Sequence, residues 1–233
     1  MNFLALVQDL ARQSGTLAGG TTIASVSGVS GRADKLVNWI QSAWQDIQNA
    51  RRWNWLRDDF ELPVLADTAR YTAASMNLDR FGSWAEDSRY FRHMTIYDPD
   101  IGQSDEQELA QISYEDWKIR YGRGTHTANR PIAWAISPSA EFLLGPTPDK
   151  EYTVLGEYWK SAQTLSVNAD TPESPERYHR AIVYRAMQIM AGSDESVPTL
   201  QMANLEFGRL YNAMCSDPTC LRPWSIHGDG PLA

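Results

Sequence analysis

The chain has 233 residues, which is room for one large domain or two small ones. A composition of 42% hydrophobic, 11% aromatic and 21% charged residues is that of a globular protein and excludes a disordered chain. Acidic residues outnumber basic ones by 29 to 21, and the net charge of −8 argues against a protein whose main task is to grip nucleic-acid phosphates.

The first quarter of the chain is predicted to be helical. A short helix with one apolar face ends before Gly15, and a glycine-rich loop follows over 15–31. A longer helix is predicted over about 32–53, with Ser30 as its N-terminal cap. The apolar positions are Phe3, Leu6, Val7 and Leu10 in the first helix, and Leu36, Ile40, Ala43, Trp44 and Ile47 in the second.

The middle of the chain is predicted to be β-rich. Phe60, Leu62 and Val64 alternate with polar residues as in a strand, and Pro63 places that strand at a sheet edge. Residues 89–97 are rich in strand formers, and Ser113 is predicted to cap a short helix. Three further strands are close enough in sequence to form a meander, over 131–136, 141–144 and 152–160.

Two helices are predicted after Pro172. Ser174 is the expected cap of the first and Pro175 its first residue, and Gly192 ends it. The second carries an apolar stripe at helical spacing: Leu200, Ala203, Phe207, Leu210, Tyr211 and Met214. From residue 215 onward there is no periodicity, and three prolines break any helix.

These patterns together predict an α+β fold. Both chain ends, 1–57 and 172–214, form a small helical bundle. A β-rich insertion, meander-like or sandwich-like, occupies 58–171, and an extended C-terminal tail occupies 215–233.

The sequence lacks the patterns that catalysis or cofactor binding requires. The glycine-rich loop has no lysine for a nucleotide phosphate, and the acidic stretch after Asp98 has neither the glycine nor the glutamate position of a calcium loop. Cys215, Cys220 and His227 lack a fourth zinc ligand at a recognisable spacing. We therefore expect no enzyme, no cofactor and no metal, although carboxylates far apart in sequence leave hydrolysis open.

The small number of cysteines and the short apolar runs indicate the cellular location. Two cysteines are too few for a disulfide scaffold, which indicates a reducing compartment. No apolar run reaches the ~18 residues of a membrane span, and the N-terminus lacks the basic region of a signal peptide. We therefore expect a soluble protein that is made in the cytoplasm.

Residues 51–57, RRWNWLR, alternate basic and aromatic side chains, a pattern that can bind single-stranded nucleic acid. Tryptophan and arginine at the end of an amphipathic helix also pack against the next element. Packing is the favoured interpretation, and nucleic-acid binding is the alternative.

Several short segments follow one another in a characteristic order. After the glycine-rich loop come LVNWI, AWQDI, WNWL and FEL between residues 36 and 62, and then SYEDW from 113, FLLGPTP from 142 and EYWK from 157. Arg130-Pro131 lies between them, and the helix from Ala181 follows. Over roughly 15–190 this ordered set resembles the head-to-tail adaptor (connector) proteins of tailed bacteriophages.

The resemblance implies a structural protein of the virion, assembled in the host cytoplasm. It implies a homo-oligomeric ring at the head–tail junction, commonly of twelve copies, with the portal above and a tail protein below. Genomic DNA would pass through the ring without specific binding, and no membrane is involved. A C-terminal arm that reaches the portal is also implied, and apolar and arginine residues in such a segment are typical partner contacts. The candidate portal-binding residues are Leu221, Arg222, Trp224 and Ile226.

Three other functions stay open at this point. The β-rich region is large for the simplest adaptors, which leaves room for a tail-tube gatekeeper or a tail terminator. A virion-associated cell-wall hydrolase would need carboxylates that converge in a cleft. A carbohydrate-binding module would need a row of exposed aromatic side chains on one sheet.

Overall fold

The computed structural model describes residues 1–15, 22–85, 94–194 and 196–221. The described residues form helices and strands in amounts that confirm the α+β fold class. The α-helices are α1 (Phe3–Gln13), α2 (Arg32–Asn49), α3 (Tyr114–Arg120), α4 (His179–Ser193) and α5 (Val197–Ser216). The strands are β1 (Arg57–Val64), β2 (Arg70–Tyr71), β3 (Phe81–Trp84), β4 (Met94–Tyr97), β5 (Gln107–Glu108), β6 (Ala110–Gln111), β7 (Ala133–Ile136), β8 (Phe142–Gly145) and β9 (Tyr152–Lys160). None of the helices in these ranges is long and apolar enough to span a membrane.

The chain divides into two compact units. The helical unit comprises Met1–Leu56 and Ala162–Ala233, and the β-rich unit comprises Arg57–Ser161. Residues 162–171, which the sequence prediction gave to the insertion, thus belong to the helical unit.

The helical unit is organised around α4, which packs against α1, α2 and α5. The apolar stripes of α1 and α2 are buried, as the sequence predicts. Trp39 lies off the α2 stripe; its ring is half-buried and lies beneath the Arg32 guanidinium at 4.7 Å. The buried apolar residues of α4 are Ala181, Ile182, Val183, Tyr184, Ala186, Met187, Met190 and Ala191.

Residues 162–171 are held on the helical unit by amide side chains of α2. Gln48 exchanges hydrogen bonds with the backbone of Gln163, at 2.7 and 3.0 Å. Gln41 donates to the carbonyl of Leu165 at 2.7 Å, and Leu165 itself is buried. Because these polar groups are satisfied by hydrogen bonds to α2, the segment packs as part of the helical unit.

The β-rich unit contains two sheets. One has the order β1–β9–β4–β5, with β3 also paired to β9, and all of its pairs are antiparallel. The other has the order β2–β8–β7–β6, in which only β6 and β7 are parallel. Among the described strands β1 pairs with β9 alone, so the edge position predicted from Pro63 is confirmed.

Both sheets contribute to one hydrophobic core, which gives the unit its sandwich-like character. The alternating residues of β1 face this core from the first sheet, and Trp134, Phe142 and Leu144 face it from the second. Gly156 of β9 lies where Phe60 and Met94 approach most closely, and any side chain there would collide with them. Large aromatics on neighbouring strands thus require a glycine between them.

Four local predictions are wrong. Gly31, with a φ of 62° that favours glycine, precedes α2 in place of a Ser30 cap, and the helix ends at Asn49. Ser174 does not cap α4, since a 3-10 turn precedes that helix and the Ser174 carbonyl accepts a hydrogen bond from His179 Nε2 at 2.9 Å. The predicted three-strand meander does not form, because β9 joins the other sheet. The Ser113 cap is confirmed: its hydroxyl accepts from the Asp116 N–H at 3.0 Å.

Candidate partner-binding surface

The last described residues, 217–221, form a turn that is bound to the helical unit. The Asn54 N–H donates to the Cys220 carbonyl at 2.9 Å, and the Asn54 side-chain amide donates to the Pro218 carbonyl at 3.0 Å. Cys220 is fully buried, and this burial raises the pKa of its thiol. The segment that follows therefore starts from a fixed point on the helical unit.

Asp217 holds the same turn through its carboxylate. It accepts hydrogen bonds from the Tyr178 hydroxyl at 2.7 Å and from the Thr219 N–H at 2.9 Å, and it pairs with Arg177. The Tyr178 and Thr219 hydrogen bonds, with Arg177, hold the pKa of Asp217 well below its usual range. A carboxylate stabilised in this way stays ionised at neutral pH, so its hydrogen bonds and its ion pair continue to hold the turn.

The sequence-predicted partner-binding residues lie at and beyond this turn. Leu221 is half-buried and is the last described residue before the end of the chain. Arg222, Trp224 and Ile226 lie outside the described residues. The structure therefore fixes where the candidate segment begins, and the role of its side chains stays a prediction.

The tryptophans of residues 51–57 are used in packing. Trp53 is fully buried, its indole N–H donates to the Ile47 carbonyl at 2.6 Å, and its ring stacks on Trp55 at 4.7 Å. Trp55 in turn stacks on the buried Trp44, with ring centroids 6.3 Å apart. A nucleic-acid base cannot stack on a ring whose face is already covered by another tryptophan, so the packing interpretation is favoured over single-strand binding.

Helix α5 is the feature that sequence reasoning misjudged most. Of its predicted apolar stripe, only Ala203 and Met214 are fully buried. Met202 and Leu205, which lie off that stripe, are 39% and 72% exposed. The sequence does contain a signal for this exposure, because both residues lie on the side of the helix opposite the apolar stripe. We call Met202 and Leu205 the outer face of α5.

A small cavity lies between α2, α4 and α5. Its volume is about 190 Å³, and the stacked rings of Phe207 and Tyr211 form one wall. At its rim Asp46 pairs with Arg185 at 2.8 Å. We call this cavity the α5 pocket, and it is lined by Asp46, Ile47, Ala50, Arg185, Phe207 and Tyr211.

Charge is divided unequally between the two units. The sequence between Arg57 and Ser161 has 18 acidic and 11 basic residues, whereas the rest of the chain has 11 and 10. Paired acids in the β-rich unit have structural roles: Asp105 pairs with Arg130 at 2.7 Å, and Asp98 pairs with Lys150. The surplus of carboxylates gives the β-rich unit its negative field.

Catalysis or metal binding within the described ranges of the chain would require titratable side chains that converge in one place. No group of histidine, cysteine, aspartate or glutamate residues in these ranges could hold a metal ion. The α5 pocket has one carboxylate, Asp46. A second cavity of about 350 Å³, beside the start of α3, also has one, Glu115. A single carboxylate in each cavity does not make an acid–base pair.

Comparison with known proteins identifies the family to which the chain belongs. No curated protein matches the sequence. A family model described as SU10 adaptor protein matches residues 1–217, and the chain therefore belongs to this family of structural phage adaptors.

Proposed function

We propose that this chain is a subunit of a ring, commonly of twelve copies, that lies beneath the portal of a tailed phage. The ring continues the DNA channel and gives the tail its docking surface. The observation that carries the proposal is the family match over residues 1–217, which covers all of the β-rich unit and the helical unit as far as Asp217. A structural adaptor also requires no catalytic site, and the proposal assigns none.

The C-terminal segment is the part of the chain that we assign to the portal. It follows directly after a turn that Asn54 and Asp217 fix on the helical unit. Tryptophan and arginine are the residue types most often found at binding hot spots, and this segment contains Trp224 and Arg222. We infer that this segment becomes ordered when it binds the portal, as binding segments without periodicity often do.

The acidity of the β-rich unit supports passage of DNA through the ring. Phosphates are bound by lysine and arginine, and a surplus of carboxylates lowers the affinity for a passing duplex. The proposal is therefore that DNA slides past the ring, which has no sequence-specific contact with it. We place the protein in the virion at the head–tail junction, after assembly in the host cytoplasm.

The alternative functions receive less support. The aromatic side chains of the sandwich core, including Phe60, Trp134 and Phe142, are buried, which counts against a carbohydrate-binding module. Neither described cavity contains the carboxylate pair of a hydrolase. The family match favours an adaptor over a tail-tube gatekeeper or a tail terminator.

Truncation after Leu221 tests the assignment of the tail. Deleting 222–233 leaves the Asp217 and Cys220 contacts in place, so the melting temperature should not change. A cut at residue 216 is unsuitable, because it removes both contacts and destabilises the helical unit. We expect the 222–233 deletion to abolish binding to portal-bearing capsids in a sedimentation assay.

Point variants test the role of individual tail residues in portal binding. Trp224→Ala should weaken capsid binding at least tenfold, as expected for a hot-spot residue, whereas its neighbour Ser225→Ala serves as the matched control and should bind normally. Normal binding of the truncated chain would remove the tail from the mechanism. A truncated chain that failed to fold would show instead that the tail packs on its own helical unit.

A further inference from the structure

Helix α5 carries several large apolar side chains that are exposed to solvent. Three of the large hydrophobic side chains that are exposed in the described ranges lie on it, Val197 at 62%, Met202 at 39% and Leu205 at 72%. Isolated exposed leucines are common, but Met202 and Leu205 are three residues apart and so are neighbours on one helix face. Apolar surface gathered on one face is typical of a protein-binding site.

The α5 pocket offers a matching receptor. A volume of about 190 Å³ exceeds that of an engineered cavity of about 150 Å³ that takes a benzene-sized group, so it accommodates a leucine side chain. Most of its lining is apolar, from Ile47, Ala50 and the two stacked rings. Its charged rim is already neutralised, because Asp46 and Arg185 pair with each other. An apolar side chain can enter without leaving a charge unpaired.

The outer face and the pocket point in different directions. Leu205 and Phe207 are two residues apart, which places them about 200° apart around the helix axis. One copy therefore cannot fill its own pocket with its own Leu205. A patch and a pocket on different sides of one molecule join copies head to tail, and such contacts close into rings when the rotation between copies allows it.

Charge favours a second copy as the occupant. Outside the β-rich unit the chain has 11 acidic and 10 basic residues, so two helical units approach each other with little repulsion. A contact through the β-rich unit, with its 18 acidic and 11 basic residues, would bring like charges together. The near-neutral unit is also the one that carries both the outer face and the pocket.

From these observations we propose that α5 forms the contact between neighbouring copies: Leu205 of one copy enters the α5 pocket of the next, and Met202 packs beside it. This inference rests on the proposed function, since it assigns the surface that holds the ring together. The partner is a second copy of this chain, bound through a heterologous interface.

Photocrosslinking identifies the occupant directly. A benzophenone amino acid replaces Leu205, the chain is mixed with ¹⁵N-labelled wild type, and both are assembled on portal-bearing capsids. We expect mixed-isotope crosslinks from position 205 to peptides that contain residues 46–50 or 207–211. Crosslinks to the portal or a tail protein, crosslinks to residues 222–233 of the same copy, or the absence of crosslinks would each overturn the inference.

Complementary variants test the direction of the contact. Leu205→Asp spoils the outer face and Ala50→Trp fills the pocket, and both positions are exposed, so neither should lower the melting temperature. Each should reduce the number of copies retained per capsid about tenfold or more, because burial of one leucine is worth at least that factor in an equilibrium constant. Ile119→Asp, 68% exposed on α3, is the matched control and should be retained normally.

A mixture of the two variants separates a heterologous contact from a symmetric one. The Ala50→Trp variant retains an intact outer face, and the Leu205→Asp variant retains an intact pocket. The outer face of the first can therefore bind the pocket of the second, but neither variant has a second working surface that could extend the pair. Native mass spectrometry should find mixed pairs and no larger species. Normal rings from either variant alone would overturn the inference and leave the proposed function intact. Capsids that bind no wild-type chain would contradict the proposed function and this inference with it.

Discussion

Replacing Trp44 with alanine should destabilise the helical unit severely. Trp44 is 1% exposed, its ring stacks on Trp55, and its indole N–H donates to Gln163 Oε1 at 3.2 Å. A buried tryptophan removes about 200 Å² from water, and at about 25 cal/mol per Å² this contributes about 5 kcal/mol. Measured losses for such truncations are about 3–5 kcal/mol, since the cavity relaxes in part.

Trp39 provides the control on the same helix. It is half-buried, and its ring contacts the Arg32 guanidinium at 4.7 Å, an interaction of about 0.5–1 kcal/mol at an exposed site. Differential scanning calorimetry of both variants should show a loss of about 10 °C or more for Trp44→Ala and only a few degrees for Trp39→Ala. Equal shifts for the two variants would refute the placement of α2 against α4.

Three further results are expected. Gly156→Ala should lower stability by about 1–3 kcal/mol in chemical denaturation, because the new Cβ would lie 2.6 Å from the Phe60 ring; an unchanged midpoint would refute the close approach. Asp217→Asn should lower the melting temperature at pH 7. Since the folded-state pKa of Asp217 is depressed, its contribution is present above the unfolded carboxyl pKa of about 4 and is lost as the pH falls further, so the two proteins should converge in acid; a difference independent of pH would contradict this. A chelator should leave melting unchanged, and the purified chain should not cleave peptidoglycan or phosphodiesters; cleavage that one carboxylate substitution abolished would overturn the non-enzymatic assignment.

The sequence predicted best those elements whose signal is local. The stripe of Phe3, Leu6, Val7 and Leu10 gave α1, because helical spacing reports one buried face directly. Ser113 and the acids that follow it gave the start of α3, because a capping hydroxyl acts within three residues. The edge position of β1 followed from Pro63, which cannot donate a ladder hydrogen bond.

What the sequence could not give depends on distant partners. Strand β9 follows β8 closely, yet it pairs with β1 and β4, since the shared core decides which strands meet. The stripe of α5 predicts a buried helix, but periodicity does not say how much of the stripe a neighbour covers. The α5 pocket combines residues from three helices that are up to 165 positions apart, from Asp46 to Tyr211, and no local pattern reports such a site.

An adaptor between the portal and the tail must lie at the head–tail junction of the virion. Cryo-electron microscopy of the intact virion, with the chain tagged at an exposed position such as Ile119, locates it directly. We expect a ring of density immediately beneath the portal, with one tag per copy around the DNA channel. Tag density on the capsid shell, on tail fibres or at the distal tip of the tail, with none beneath the portal, would contradict it.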